Sequence, residues 1–252
     1  MCVHPKDTRE DRRLLYLAVA VLTIFAGLVN TRIVESGNAS ATAHNIETSA
    51  TLFRIGFVSE LAGATAFLST ALVLYLLLKH VNQMAAAAMV TFVAVSVAIQ
   101  SLNLLNQKAA LAIATGQYAF SAPDSDQLIL LFADMQRDGY LIAQTYFGLW
   151  LLPLGYLVVK SGYFPKVLGV LLVIGCFGHL VDVFARFLAP DFGATISPFA
   201  LTFPAVAELS FIGWLLVKAV RVPTTAPSPC PSDAGRPWSG AAASAPSRRP
   251  PG

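Results

Sequence analysis

The chain reads as an all-α integral membrane bundle of about six transmembrane helices, and three observations predict it. The first is composition. Mean hydropathy is +0.64 over 252 residues, with 56% apolar and only 12% charged residues. A soluble domain carries about 25% charged residues, so this chain has too little charge to coat a globule in water. The second is length. A helix needs roughly 20 mostly apolar residues to cross the hydrocarbon core, and six stretches reach that: residues 14–34, 55–78, 84–105, 140–159, 167–189 and 197–217. The third is periodicity. The runs are too long for strands and none alternates apolar with polar residues, which excludes a barrel of short strands.

In chain order, residues 1–13 carry Lys6, Arg9, Arg12 and Arg13 and read as a cytoplasmic N-terminal segment. The first apolar stretch follows Arg12 and Arg13 as a signal peptide would. The small-residue triplets at 39–41 and 41–43 lie well past its end, however, so a retained helix is expected. Residues 14–221 form the six-helix domain. The third loop, 106–139, holds Asp124, Asp126, Asp134 and Asp138. Within it, Asp124 or Ser125 would cap a short helix with Leu128, Leu131, Phe132 and Met135 on one face, lying on the membrane surface or over the bundle mouth. Pro153 and Pro204 should kink or loosen the fourth and sixth spans. Gly56, Gly63, Gly148, Gly155, Gly169 and Gly175 should let helices approach closely. Residues 222–252, rich in Pro, Ser, Ala and Gly, cannot build a core and read as a disordered tail.

Orientation follows from the basic residues. Of 17 Lys and Arg, twelve fall in the N-terminal segment, the second and fourth loops (Lys79, Lys160, Lys166) and the C-terminal side. Arg32, Arg54, Lys108, Arg137 and Arg186 fall on the opposite side. This predicts both termini in the cytoplasm and an inner (cell) membrane location. Net charge is only +3, with no basic stretch interleaved with aromatics, so no nucleic-acid surface is expected. The expected partner is the lipid bilayer.

Ionisable groups inside spans are costly, roughly 2.5–3.5 kcal/mol near the centre even on lenient scales, so they are the informative residues. They are Glu60, His179, Asp182 and Glu208, with Arg54 and Arg186 at helix ends. His179, Asp182 and Arg186 share one helix face, and Ser96, Gln100 and Asn103 form an uncharged polar stripe on another. Both faces should turn inward, with Glu60, His179, Asp182 and Glu208 in the wall of an outward-facing cavity and Arg54 a further candidate at the outer end of its span. His44 and Asn45 are further candidates from the first outer loop.

Three function classes fit such a set. A binding or transport protein would use the carboxylates and histidine to hold an ion or small polar ligand, or to relay protons. A membrane-embedded enzyme, metal-assisted or not, would act on lipid or peptide. A structural or partner-binding subunit would simply pair its charges. No H-E-x-x-H, G-x-S-x-G or G-x-x-x-x-G-K-[ST] motif is present, and no cofactor is expected. Cys2, Cys176 and Cys230 have no C-x-x-C spacing, which supports neither a disulfide framework nor a cysteine metal site.

Several strings occur in a telling order: ATAHNI at 41–46, LFRIG at 52–56 followed by Glu60, LYLLLK at 74–79 with Val81 and Asn82, and FGLWLLPLGY at 147–156. KSGYFP at 160–165, LGVLL at 168–172, ELS at 208–210 and WLLVK at 214–218 complete the series. Together they resemble a bacterial multi-pass membrane family, the domain-of-unknown-function family 4386, over roughly residues 10–220. The resemblance implies a multi-helix membrane fold and no established activity. It also implies a pattern that keeps Asn45, Arg54, an acid at Glu60, and Glu208. The family often has a second acid where this chain has Phe67, and tyrosine where it has His179. Both departures weigh against a metal site built on Glu60.

Overall fold

A computed structural model describes residues 7–118 and 120–217. Among them there are only helices: α1 (Asp7–Ile33), α2 (Ala39–Thr48), α3 (Ala50–Leu78), α4 (Gln83–Ala114), α5 (Ala122–Leu149), α6 (Leu151–Ser161), α7 (Lys166–Leu188) and α8 (Pro190–Val217). Five segments are long and apolar enough to span a membrane, α5 and α6 counting as one, and α1 adds a shorter apolar helix over Leu17–Ile33. The expected bundle of about six spans is therefore present. The tail at 222–252, His4, Cys2 and Cys230 lie outside the described residues.

Three expectations about boundaries change. The short helix expected in the third loop is not separate. Ser121 provides the N-cap, its hydroxyl bonded to the Asp124 carboxylate, and α5 runs unbroken from Ala122 to Leu149. Gly139 does not stop it, because the missing side chain leaves room for the Asn103 amide to pack on that turn. Its buried face is Ile129 and Ala133, whereas Leu131 and Met135 are exposed. The third and sixth spans are also longer than expected, reaching Ala114 and starting at Pro190. Proline at the first position of α8 needs no N–H partner, which lets the helix begin directly after the Ala189 turn.

The α5–α6 break has a local cause. Pro153 has no N–H for the Leu149 carbonyl and its ring crowds that oxygen, so that one helix bond is missing, while Trp150 still donates to Tyr146 O at 3.1 Å and accepts from Leu154 N–H at 3.2 Å. Trp150 keeps helical angles (φ −65°, ψ −26°), so the rod continues. Gly162, at φ +70°, ends α6 in the left-handed conformation that glycine adopts without strain. Asn82 starts α4 by accepting a 3.0 Å bond from the Ala85 N–H.

In lipid, helix association rests on close packing and interhelical hydrogen bonds rather than on apolar burial alone. Both are visible. A Cβ on Gly155 would stand 2.7 Å from the Gly169 carbonyl oxygen, so α6 and α7 cross backbone to backbone. Ser96 Oγ donates to Ala143 O at 3.0 Å, and Asn103 Nδ2 to Gln136 O at 2.6 Å. The two bonds are seven residues apart on each helix and run in opposite senses, so they fix α4 and α5 in antiparallel register.

Two apolar clusters bracket the bundle. One joins α3, α4, α6, α7 and α8 around Leu74, Met89, Leu154, Leu172 and Phe211. The other lies under α2 and includes Val29, Ile33, Ile46, Phe53, Ile113 and Ile129. Large apolar side chains such as Leu76, Leu102, Phe184 and Phe199 stay more than half exposed, as lipid-facing residues do.

Candidate functional site

A cavity of about 740 Å³ lies inside the bundle, lined from α1, α3, α4, α5, α7 and α8. Small-molecule sites span about 300–1,000 Å³. Four of the expected charged residues line it: Glu60, Asp182, Arg186 and Glu208. His179 stands behind Glu208, with Nε2 3.1 Å from Oε1. Arg54 is exposed and does not line the cavity.

The charges divide into two groups. Asp182 is fully buried and satisfied: Oδ1 accepts from Arg186 Nε at 3.1 Å, and Oδ2 from Gln144 Nε2 at 3.0 Å. The Arg186 guanidinium also donates to Ser197 Oγ at 2.5 Å, which ties α7 to the start of α8. Glu60 and Glu208, in contrast, have no lysine or arginine partner among the described residues. Glu60 accepts a long 3.4 Å bond from Asn30 Nδ2, and Asn30 Oδ1 accepts from Gln107 Nε2, also at 3.4 Å. Glu208 has His179. The Nδ1 atom of that ring is buried with no partner, so Nε2 is the nitrogen that meets the carboxylate.

Aromatic contacts place the layers. Phe67 and Phe147 have ring centroids 5.1 Å apart, and Phe147 meets His179 edge-on at 5.3 Å. Glu208 therefore shares a layer with the Phe67–Phe147 pair. Glu60 is seven residues before Phe67, about 10 Å along α3. The cavity thus has one carboxylate in its aromatic layer and another about two turns away.

The uncharged stripe splits by role. Gln100 lines the cavity, while Ser96 and Asn103 are spent on the α4–α5 register. The first-loop candidates stand elsewhere. His44 is exposed, and Asn45 Nδ2 donates at 3.2 Å to the Ile33 carbonyl, one of the acceptors left open at the end of α1. Neither lines the cavity. Arg54, a candidate from the outer end of its span, stands apart: its place one turn into α3 turns it away from the interior.

Sequence reading passed over Asn30, Tyr140 and Gln144, which line the cavity. Each is a polar residue inside a helix that searching for charges alone misses. Among the described residues, no three histidine, cysteine or acidic side chains converge to hold a metal.

Comparison with known proteins gives a family and assigns no chemistry. An uncharacterized protein of Archaeoglobus fulgidus is 34% identical over 88 residues, 35% of this chain and 51% of that protein. The chain thus spans about half the length of this relative. No solved structure matches. The model of DUF4386, a domain of unknown function, matches residues 14–219, and the chain belongs to that family.

Proposed function

We propose that the protein binds a small polar ligand or ion in this cavity and moves it across the bilayer. The observation that supports the reading is the contrast between the carboxylates. Asp182 is neutralised by Arg186, whereas Glu60 and Glu208 line the same cavity with no lysine or arginine partner among the described residues, Glu60 meeting Asn30 and Glu208 meeting His179. Holding two such acids within a membrane is costly, and a bound cation offsets that cost. No observation favours the enzyme reading.

The lysine and arginine bias supports an inner-membrane orientation with both termini cytoplasmic. The cavity rim at Thr31, Ser36 and Arg137 would then open outward. The proposed organisation is a cytoplasmic segment at 1–13 followed by the membrane domain at 14–221.

Flux in proteoliposomes tests the reading. The protein should conduct or exchange at least one cation, inorganic or organic, or small polar solute, and Glu60→Gln and Glu208→Gln should each abolish that flux. Flux that both variants leave intact overturns the proposal.

A further inference from the structure

The cavity is not uniformly polar, and its apolar side faces a particular place. Val19 and Ile24 line it from α1, Leu209 and Ile212 from α8, and Phe67 and Phe147 from the aromatic layer. Ile24 is 58% exposed and Leu209 62% exposed, so two residues that line the interior also belong to the lipid-facing surface. The first helix packs along α3 and barely touches α8. The seam between α1 and α8 is therefore a side opening from the cavity toward the lipid chains. It is made of small and apolar residues, Ala20 and Gly27 on one side and Ala205 on the other.

We infer that the ligand is an organic cation with an apolar body, which enters from the bilayer through the α1–α8 seam and places its charge between Glu60 and Glu208. This rests on the cavity-binding reading above. A hydrated inorganic ion gains nothing from an apolar wall or a lipid-side opening. An apolar cation gains from both, and its charge is attracted to the carboxylates and to the faces of Phe67 and Phe147. Neutral lipids would bring no charge to face the two acids, and anions would be repelled by them.

The probe is tritiated tetraphenylphosphonium, measured by equilibrium dialysis against the purified protein in detergent with protein-free micelles subtracted. Saturable binding is expected, weakened about tenfold or more by Glu208→Gln and by Glu60→Gln, one lost charge contact being worth about that factor. Glu208→Asp, which keeps the charge, should retain most of the binding and guards against loss through misfolding. Sodium in excess should not compete. Ala205→Trp, which fills the seam and leaves both acids in place, should slow association about tenfold. Absence of saturable binding overturns the inference. If inorganic cation flux still depends on Glu60 and Glu208 in that case, the cavity reading survives alone; if no flux depends on them either, both fall. Acid-dependent binding with an unchanged rate in Ala205→Trp overturns the lateral route.

Discussion

The His179 Nε2 and Glu208 Oε1 atoms lie 3.1 Å apart, joining α7 to α8 well inside both helices. The pair is held from behind. A Cβ on Gly148 would come within 2.7 Å of the His179 Cβ, so α5 approaches α7 at this level as closely as glycine permits. The Phe147 ring meets the imidazole edge-on. Interhelical polar pairs in membranes average about 0.6 kcal/mol and reach about 1.7. A double-mutant cycle over His179→Phe and Glu208→Leu should give a coupling near the upper part of that range, about 1 kcal/mol, by reversible unfolding in mixed micelles. A coupling of zero would mean that the two groups only share a layer.

Asp182 carries a heavier structural demand. It is 0% exposed and depends on Arg186 and Gln144. Removing one partner of a buried pair leaves an uncompensated charge and costs about 3–5 kcal/mol, whereas replacing both can be nearly neutral. Arg186→Ala should therefore destabilise the bundle strongly. Adding Asp182→Asn should recover most of the loss, because Gln144 can still donate to the amide oxygen. Equal instability of the single and double variants would show that Arg186 acts through Ser197 instead.

The spans were legible because lipid leaves so few alternatives. Long apolar runs and the cost of unpaired backbone in hydrocarbon dictate helices. Glu60, Asp182 and Glu208 were legible for the same reason, since charge inside a span must turn inward. What escaped was decided by partners distant in sequence. Whether a polar residue lines a cavity or staples two helices depends on what faces it. Gln100 and Asn103 are three residues apart on one stripe, yet Gly139 and the Gln136 carbonyl claim Asn103 and leave Gln100 open. Asn45 followed the family pattern, and its task became visible only when the end of α1 came within reach. Arg54 looked like a site residue from its position at a span end, but helix α3 begins at Ala50 and turns that side chain out.

The α6–α7 crossing should be unforgiving. Gly155 and Gly169 face each other so closely that a Cβ on either would stand 2.7 or 2.6 Å from the opposing carbonyl oxygen. Methyls of Val173 and Val159 stand as close, and a backbone carbonyl cannot swing aside, so the helices must separate. Gly155→Ala should cost about 1–3 kcal/mol, the usual range for overpacking. Gly27→Ala, where an added Cβ meets nothing within 4 Å, should be tolerated. Comparing thermal unfolding of the two variants in the same detergent checks this, and similar midpoints would contradict the tight crossing.

Solvent access offers the most direct test of the cavity. With Cys2, Cys176 and Cys230 replaced by serine, single cysteines can be placed on the α4 stripe. Gln100 lines the cavity, whereas Ser96, one turn away, is 0% exposed and bonded to Ala143. A water-soluble methanethiosulfonate should label Gln100→Cys and spare Ser96→Cys. The sign of the reagent's charge should matter as well. With no lysine or arginine paired to Glu60 or Glu208 among the described residues, an ammonium reagent should react about tenfold faster at Gln100→Cys than a sulfonate of similar size. That preference should shrink when Glu208→Gln is added. Equal rates for the two reagents would mean that the acids are neutral or screened, and the cation proposals would lose their electrostatic basis.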